Sequence, residues 1–224
     1  MTFSIIGRCA TTGMFGVAIP TSSIAVGARC PHARAGAGAV ATQNVTDPSY
    51  GPRILDLLAR GHDADDALAR GLDGQPFTEF RQITVIDRTG ATASHTGAKI
   101  LGVNAVCDNT DCLAAGNLLG SVEVPAAMTD AFLASAGRHL ADRLLAALEA
   151  GLAAGGEEGP THSAALIVHH QHPFALVDLR VDWAADPVAA LRRLWVAYEP
   201  QMAAYVARAV APGQAPRYGV RGER

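Results

Sequence analysis

Aromatic side chains, net charge and long apolar runs are all scarce in this chain. Phe, Trp and Tyr make up 5% of it, and the 49% hydrophobic content is mostly Ala, Val and Leu, which suits strands and helices in close-packed layers. With a formal net charge of -3 and Lys and Arg scattered along the chain, there is no basic face to neutralise a row of phosphates, so nucleic acid is not an expected partner. No apolar run reaches the roughly 20 residues of a membrane helix, so no membrane partner is expected. Met1 to Gly7 has no basic leader pattern, so export is not expected either. The four cysteines, Cys9, Cys30, Cys107 and Cys112, lack the dense even spacing of a secreted disulfide scaffold, which points to the cytoplasm. Cys107 and Cys112 stand wider apart than a zinc knuckle, with no histidine within a few residues, so no metal and no cofactor are expected.

Two common catalytic signatures are also missing. There is no Gly-x-Ser-x-Gly elbow, and Gly36-x-Gly38 lacks the third glycine and the following helix of a dinucleotide site. His32 follows Pro31 in an expected loop, His95 falls on an expected strand, and His169, His170 and His172 crowd an expected hairpin; none pairs with a nucleophile in the sequence.

What is present reads as one domain over residues 1–210, followed by a tail at 211–224 that frays or docks on a neighbour. Thr2 to Gly7 alternates, with Phe3 and Ile5 on one face and Thr2, Ser4 and Ile6 on the other, which is the two-residue period of a strand. Turn residues at Ala10 to Gly13 and an apolar run at Phe15 to Ile19 complete a hairpin. Further strands are expected at Ser23 to Ala28, Gly36 to Gln43, Gln82 to Asp87 and Ala91 to Thr96, with a strand-and-loop region reaching Asn117, and at Ser163 to His169 and Phe174 to Val181. Helices are expected from Pro52 to near Gly61, after an Asp63 cap, over Val122 to Ala136 and His139 to Ala153, and from Asp186-Pro187 to about Ala209. Strands and helices grouped in blocks argue for an α+β fold of two antiparallel sheets covered by helices, not for a doubly wound parallel sheet. Trp195, Tyr198 and Tyr205 on the last helix suggest a homo-oligomer interface, or packing on the protein's own sheet.

Several segments resemble the family catalogued as domain of unknown function 1028. They are Met1-Thr2-Phe3-Ser4-Ile5, Ala35 to Gln43 and Ser163-Ala164-Ala165-Leu166, with echoes at Arg81-Gln82, Thr96-Gly97, Gly116-Asn117 and Val177 to Asp182. The similarity runs from the start of the chain to about Tyr198. It implies a place among the N-terminal-nucleophile (Ntn) hydrolases, a four-layer αββα sandwich, and an amidohydrolase-type site at the start of the first strand; the expected activity is hydrolysis of a small-molecule amide or related C–N bond. It also implies a basic residue at position 23, where this chain has Ser23.

Thr2 follows the initiator methionine, and a small second residue is the usual context for removing it. The freed α-amine, with a pKa of about 8, can then serve as base for the hydroxyl of the same residue. Ser4, on the same face, is a polar support or an alternative nucleophile, and Ser163, beginning a later strand, is a second internal candidate. Gln43 and Asn117 are candidates to hold the substrate or its oxyanion, and Ser22, Ser23, Thr42 and Asn44 to bind substrate. Each of these also has a plain role as a strand-end or turn residue bonded to local backbone. The competing functions are a non-catalytic ligand-binding or scaffold protein, which retained Met1 would favour, and a hydrolase using an internal serine.

Overall fold

The structure is a computed structural model that describes residues 1–219. The opening alternation does form a hairpin: β1 (Thr2–Cys9) pairs antiparallel with β2 (Met14–Thr21), with Thr2 opposite Thr21 and Cys9 opposite Met14. The hairpin is the centre of a six-stranded sheet. On one side β1 pairs with β8 (Cys112–Asn117) and that with β7 (Ala105–Asn109); on the other, β2 pairs with β9 (Ser163–His169) and that with β10 (Val177–Val181). A second sheet of four strands runs in the order β3 (Pro31–Arg34), β4 (Gly38–Asn44), β5 (Arg81–Asp87), β6 (Thr92–Thr96). Every pairing is antiparallel.

The two sheets stack face to face and each is covered by helices, which makes a four-layer αββα sandwich. Ile6, Val17, Leu113 and Ala115 of the first sheet meet Ala39, Ala41 and Ile86 of the second in the central layer. On the outer face of the first sheet, Phe3 and Ile5 pack under α3 (Val124–Ala134), α4 (Leu140–Ala153) and α5 (Pro187–Val210). On the outer face of the second, Val40, Ile83 and Val85 pack under α1 (Tyr50–Ala59) and α2 (Ala64–Leu72). Each fully buried Leu, Ile or Phe contributes about 1.5–3 kcal/mol. The sandwich is therefore held by two helix-on-sheet cores and a thinner, alanine-rich core between the sheets.

The helix starts follow local chemistry. Asp63 accepts from Asp66 N at 2.9 Å, Asp186 from Ala189 N at 3.2 Å, and His139 Nδ1 from Ala141 N at 3.1 Å, each satisfying an amide that the helix leaves bare. The first helix begins at Tyr50, two residues before Pro52, which still falls within the first turn.

Two expectations need correction. Ser23 to Ala28 is not a strand: Ala25 adopts a left-handed conformation at φ 54°, Val26–Ala28 form one 3-10 turn, and Val26 N is taken by Ser163 Oγ at 3.1 Å. His32 lies on an edge strand, not in a loop; that strand begins with proline and carries Arg34, features that suit an edge and hide it from an apolar-alternation search. Trp195 follows the second of its two expected roles, packing within the chain: it is 1% exposed, lies in the core under the first sheet and stacks on His139 with centroids 5.0 Å apart. Tyr198 donates to Leu176 O at 2.9 Å and stacks on the partly exposed Tyr205. Of the tail, residues 220–224 lie outside the described residues, while Arg208 at the end of α5 donates to Pro216 O and Arg217 O, folding the stretch after the helix back on it.

Candidate functional site

Antiparallel pairing brings six strand ends to one edge of the central layer. β1 and β9 begin there, β2 and β8 end there, and in the facing sheet β4 ends where β5 begins. Because side chains alternate along each strand, the residues facing the other sheet at this edge are Ser163, Thr21, Thr2 and Asn117 in one row and Gln43 and Gln82 opposite. Ser4 and Thr84 lie one repeat further in, before the layer turns apolar. All eight are buried, none more than 6% exposed.

A polar end on a buried layer is costly unless its groups are bonded, at about 1–3 kcal/mol for each one left idle. Part of it is bonded. Gln43 Nε2 donates to Gln82 Oε1 at 2.7 Å, Asn117 Nδ2 donates to the same oxygen at 3.2 Å across the sheets, and Gln82 Nε2 donates to Gly116 O at 3.1 Å. Ser4 Oγ, Thr84 Oγ1, Gln43 Oε1 and Asn117 Oδ1 are buried without a partner. Such concentration of idle polar atoms in an otherwise closed layer marks a place organised for something other than stability.

Thr2 sits at the mouth of this region. Its Oγ1 lies 3.0 Å from Thr21 Oγ1 and donates to Met1 O at 2.5 Å; Thr21 Oγ1 donates to the same carbonyl. Two hydroxyls thus converge on one carbonyl oxygen, the arrangement required to polarise an acyl group. No histidine is bonded to Thr2, Ser4, Thr21 or Ser163 among the described residues.

Glu157, between α4 and β9, is the ionisable group of the neighbourhood. It is 7% exposed, its Oε2 accepts from Ser22 N at 3.3 Å, and its Oε1 is buried without a partner. Burial pushes its carboxyl up to about 7, against the pull of the Met1 α-amine and the Ser22 bond. The folded protein then holds this proton more tightly than the unfolded chain does at its ordinary value of 4.5, so stability falls as pH rises through that interval and levels off above about 7. Relative to Glu157→Gln, the wild type should lose about 2–3 kcal/mol across the window. Urea unfolding of both proteins below and above it measures this; parallel stability curves would refute it.

The other candidate residues divide. Ser163 Oγ donates to Ser23 O at 2.6 Å and accepts from Val26 N, so its hydroxyl ties two loops instead of facing an electrophile. Ser163→Ala is expected to cost about 1–3 kcal/mol in urea denaturation, and an unchanged midpoint would contradict that tie. Ser22 and Ser23 are at the mouth, Ser22 through its bond to Glu157, while Ser23 N approaches Thr21 Oγ1 at 3.4 Å. Thr42 turns to the helical side of its strand and bonds Thr46 Oγ1 at 3.1 Å, away from Gln43. Asn44, at φ 70°, holds loops through Phe80 O and Leu101 N.

Thr21, Gln82 and Glu157 belong to the site without a clear mark in the sequence. Thr21 and Gln82 carried a weak signal, a polar residue at the end of an apolar strand; Glu157, in a glycine-rich loop, carried none. No group of three or more His, Cys, Asp or Glu side chains is gathered to hold a metal among the described residues. Two open cavities of about 580 and 600 Å³ lie elsewhere, one against Arg34, His169 and Arg180, the other against Cys9, His139 and Arg143; neither reaches Thr2.

Residues 2–191 match the model of a family described as a family of unknown function, DUF1028. Among solved structures, protein SPO2555 from Silicibacter pomeroyi, which carries the same family model, is similar with a TM-score of 0.83 and 31% identity, covering 91% of this chain and 89% of that one. Anbu, an ancestral beta-subunit, from Yersinia bercovieri is matched at 10% identity and a TM-score of 0.39, over 91% of this chain and 97% of that one. The Anbu (Gly-1) mutant from Hyphomicrobium sp. strain MC1 gives 13% identity and a TM-score of 0.39, over 98% and 100%. Among curated proteins there is no match.

Proposed function

The chain belongs to the DUF1028 family, and from the geometry of its strand-end site we propose that it is an amidohydrolase of the Ntn type, with Thr2 as nucleophile once Met1 is removed. The observation that carries this is the convergence of Thr2 Oγ1 and Thr21 Oγ1 on a single carbonyl oxygen. With Met1 gone, the Thr2 α-amine takes the proton of Oγ1 as that oxygen attacks the acyl carbon of a small amide. Thr21 Oγ1 donates to the developing oxyanion. The amine returns the proton to the leaving nitrogen, the C–N bond breaks, and an ester to Thr2 remains. Water, deprotonated by the same amine, hydrolyses the ester and frees the acid.

Ser4, Gln43 and Asn117 are supports in this reading: their idle oxygens line the layer behind Thr2 and can accept from substrate N–H groups. Ser4 has no base bonded to it, which favours Thr2 over the internal serine. No helix is long and apolar enough to cross a membrane among the described residues, and its four cysteines are free, which suits work in the cytoplasm.

Intact-mass measurement on untagged protein, followed by a β-lactone electrophile and peptide mapping, tests the reading. Loss of Met1 and a single adduct on Thr2 are expected. A retained methionine, or an adduct on Ser4 or Ser163, would defeat it.

A further inference from the structure

Met1 occupies the site in the way an acyl group would. Its carbonyl oxygen receives both threonine hydroxyls, and its side chain lies against Gly159, where an added Cβ would stand 2.9 Å from Met1 Cε and 3.4 Å from Sδ. The Met1–Thr2 amide and a methionyl ester on Thr2 Oγ1 are isomers. They differ by moving the acyl carbon from the nitrogen to the oxygen of one residue, little more than a bond length. The remainder of the acyl group, α-carbon, amine and side chain, then stays close to where Met1 has it. What faces the Met1 amine therefore reports on what the site accepts.

The acidic group of this neighbourhood is Glu157: Ser22, next to Thr21, bonds its Oε2, Gly159 two residues on lies against the Met1 side chain, and the charge of the Met1 amine pulls on its carboxyl without an ion pair forming between them. Its backbone is fixed to the end of the strand that carries Asn117: Glu157 bridges Leu119, Glu158 N donates to Leu118 O at 2.9 Å, and Gly120 N donates to Gly156 O at 3.0 Å. Its carboxyl is more than nine-tenths buried with one oxygen bonded to Ser22 N and the other idle. A buried carboxyl with an idle oxygen is a liability to a fold unless a cation comes to it.

We infer that Glu157 receives the free α-ammonium of the acyl half of the substrate, so that the site takes aminoacyl amides and releases an amino acid. This rests on the Thr2 reading for its chemistry and on Met1 for its geometry. Gly159 leaves room for a side chain of methionine length, and Glu157, remote from the bond that breaks, is a positioning residue. The amine must be free, since an acyl cap removes its charge and puts a carbonyl against the buried carboxyl.

The test uses the full chain beginning at Thr2, released from a cleavable fusion that leaves no extra residue. Hydrolysis of L-methionine p-nitroanilide is compared with that of its N-acetyl derivative, and calorimetry compares the binding of L-methioninamide with that of N-acetyl-L-methioninamide. A preference for the free amine on the order of 10²-fold in kcat/KM is expected. Glu157→Gln, shown by thermal melting to be folded, should remove that preference by raising KM for the free amine while kcat changes only a few-fold. Equal use of both anilides, or a preference that survives Glu157→Gln, overturns the inference and leaves the Thr2 reading standing. If neither anilide is cleaved but methioninamide binds and Glu157→Gln abolishes the binding, the Thr2 reading falls and the ammonium site stands. If neither is cleaved and neither amide binds, the inference fails.

Discussion

Thr2→Ala is expected to lower kcat/KM on any amide the protein cleaves by about 10³-fold or more, because Thr21, the other hydroxyl at the acyl carbonyl, has no free α-amine of its own to act as base. The substitution suits the purpose: alanine is also small enough for Met1 to be removed, so the free amine remains and only the hydroxyl is lost. Structural damage should be slight, about 1 kcal/mol, since the main loss is one hydrogen bond to Thr21 Oγ1 at 3.0 Å. Thr2→Ser restores a hydroxyl and should return most of the rate. Steady-state kinetics with intact-mass detection of the ester intermediate separate these outcomes. A Thr2→Ala protein with wild-type kcat/KM would eliminate Thr2 as nucleophile, and an unreactive Thr2→Ser protein would show that the threonine methyl is needed for placement.

Gly38→Ala should have the largest effect on stability, about 3–5 kcal/mol in urea unfolding, as left-handed backbone strain adds to overpacking. Gly38 begins β4 at φ 155°, and a Cβ built there would lie 2.1 Å from Ile86 O and 2.9 Å from Leu58 Cδ1. The first contact is with backbone of the paired strand, so no side-chain rotation relieves it. Relief requires β4 and β5 to separate or slide, and these two strands carry Gln43 and Gln82 to the site. A variant that still folds should therefore also lose order in the Gln43–Gln82–Asn117 network. A melting curve unchanged from wild type would mean that the sandwich tolerates such a shift.

The hairpin was legible because alternation is a local property: Phe3 and Ile5 against Thr2, Ser4 and Ile6 already separated the helix-covered face from the inter-sheet face. The helix starts at Asp63 and Asp186 were legible for the same reason, a side chain and an amide three residues apart. The edge strand at Pro31–Arg34 was not, since an edge needs neither alternation nor strand-forming residues. Ser23 to Ala28 misled through composition, because nothing local reveals that Ser163, far along the chain, takes the amide of Val26. At the site, Thr2, Ser4, Gln43 and Asn117 were readable as polar residues at strand ends. Thr42 shows the limit of that reading, since one step along a strand reverses the face. Glu157 was beyond reach because only the packing of a loop against a distant strand end brings it beside Ser22 at the mouth of the site.

The same loop has a mechanical meaning. Two backbone hydrogen bonds, Glu158 N to Leu118 O and Gly120 N to Gly156 O, set Glu157 opposite Leu119 and join the loop to the continuation of β8. Asn117 on that strand is in turn tied through Gln82 to the facing sheet. The carboxyl at the mouth and the amides at the back therefore belong to one stiff frame, and a force that pulls the loop outward is resisted by both sheets at once.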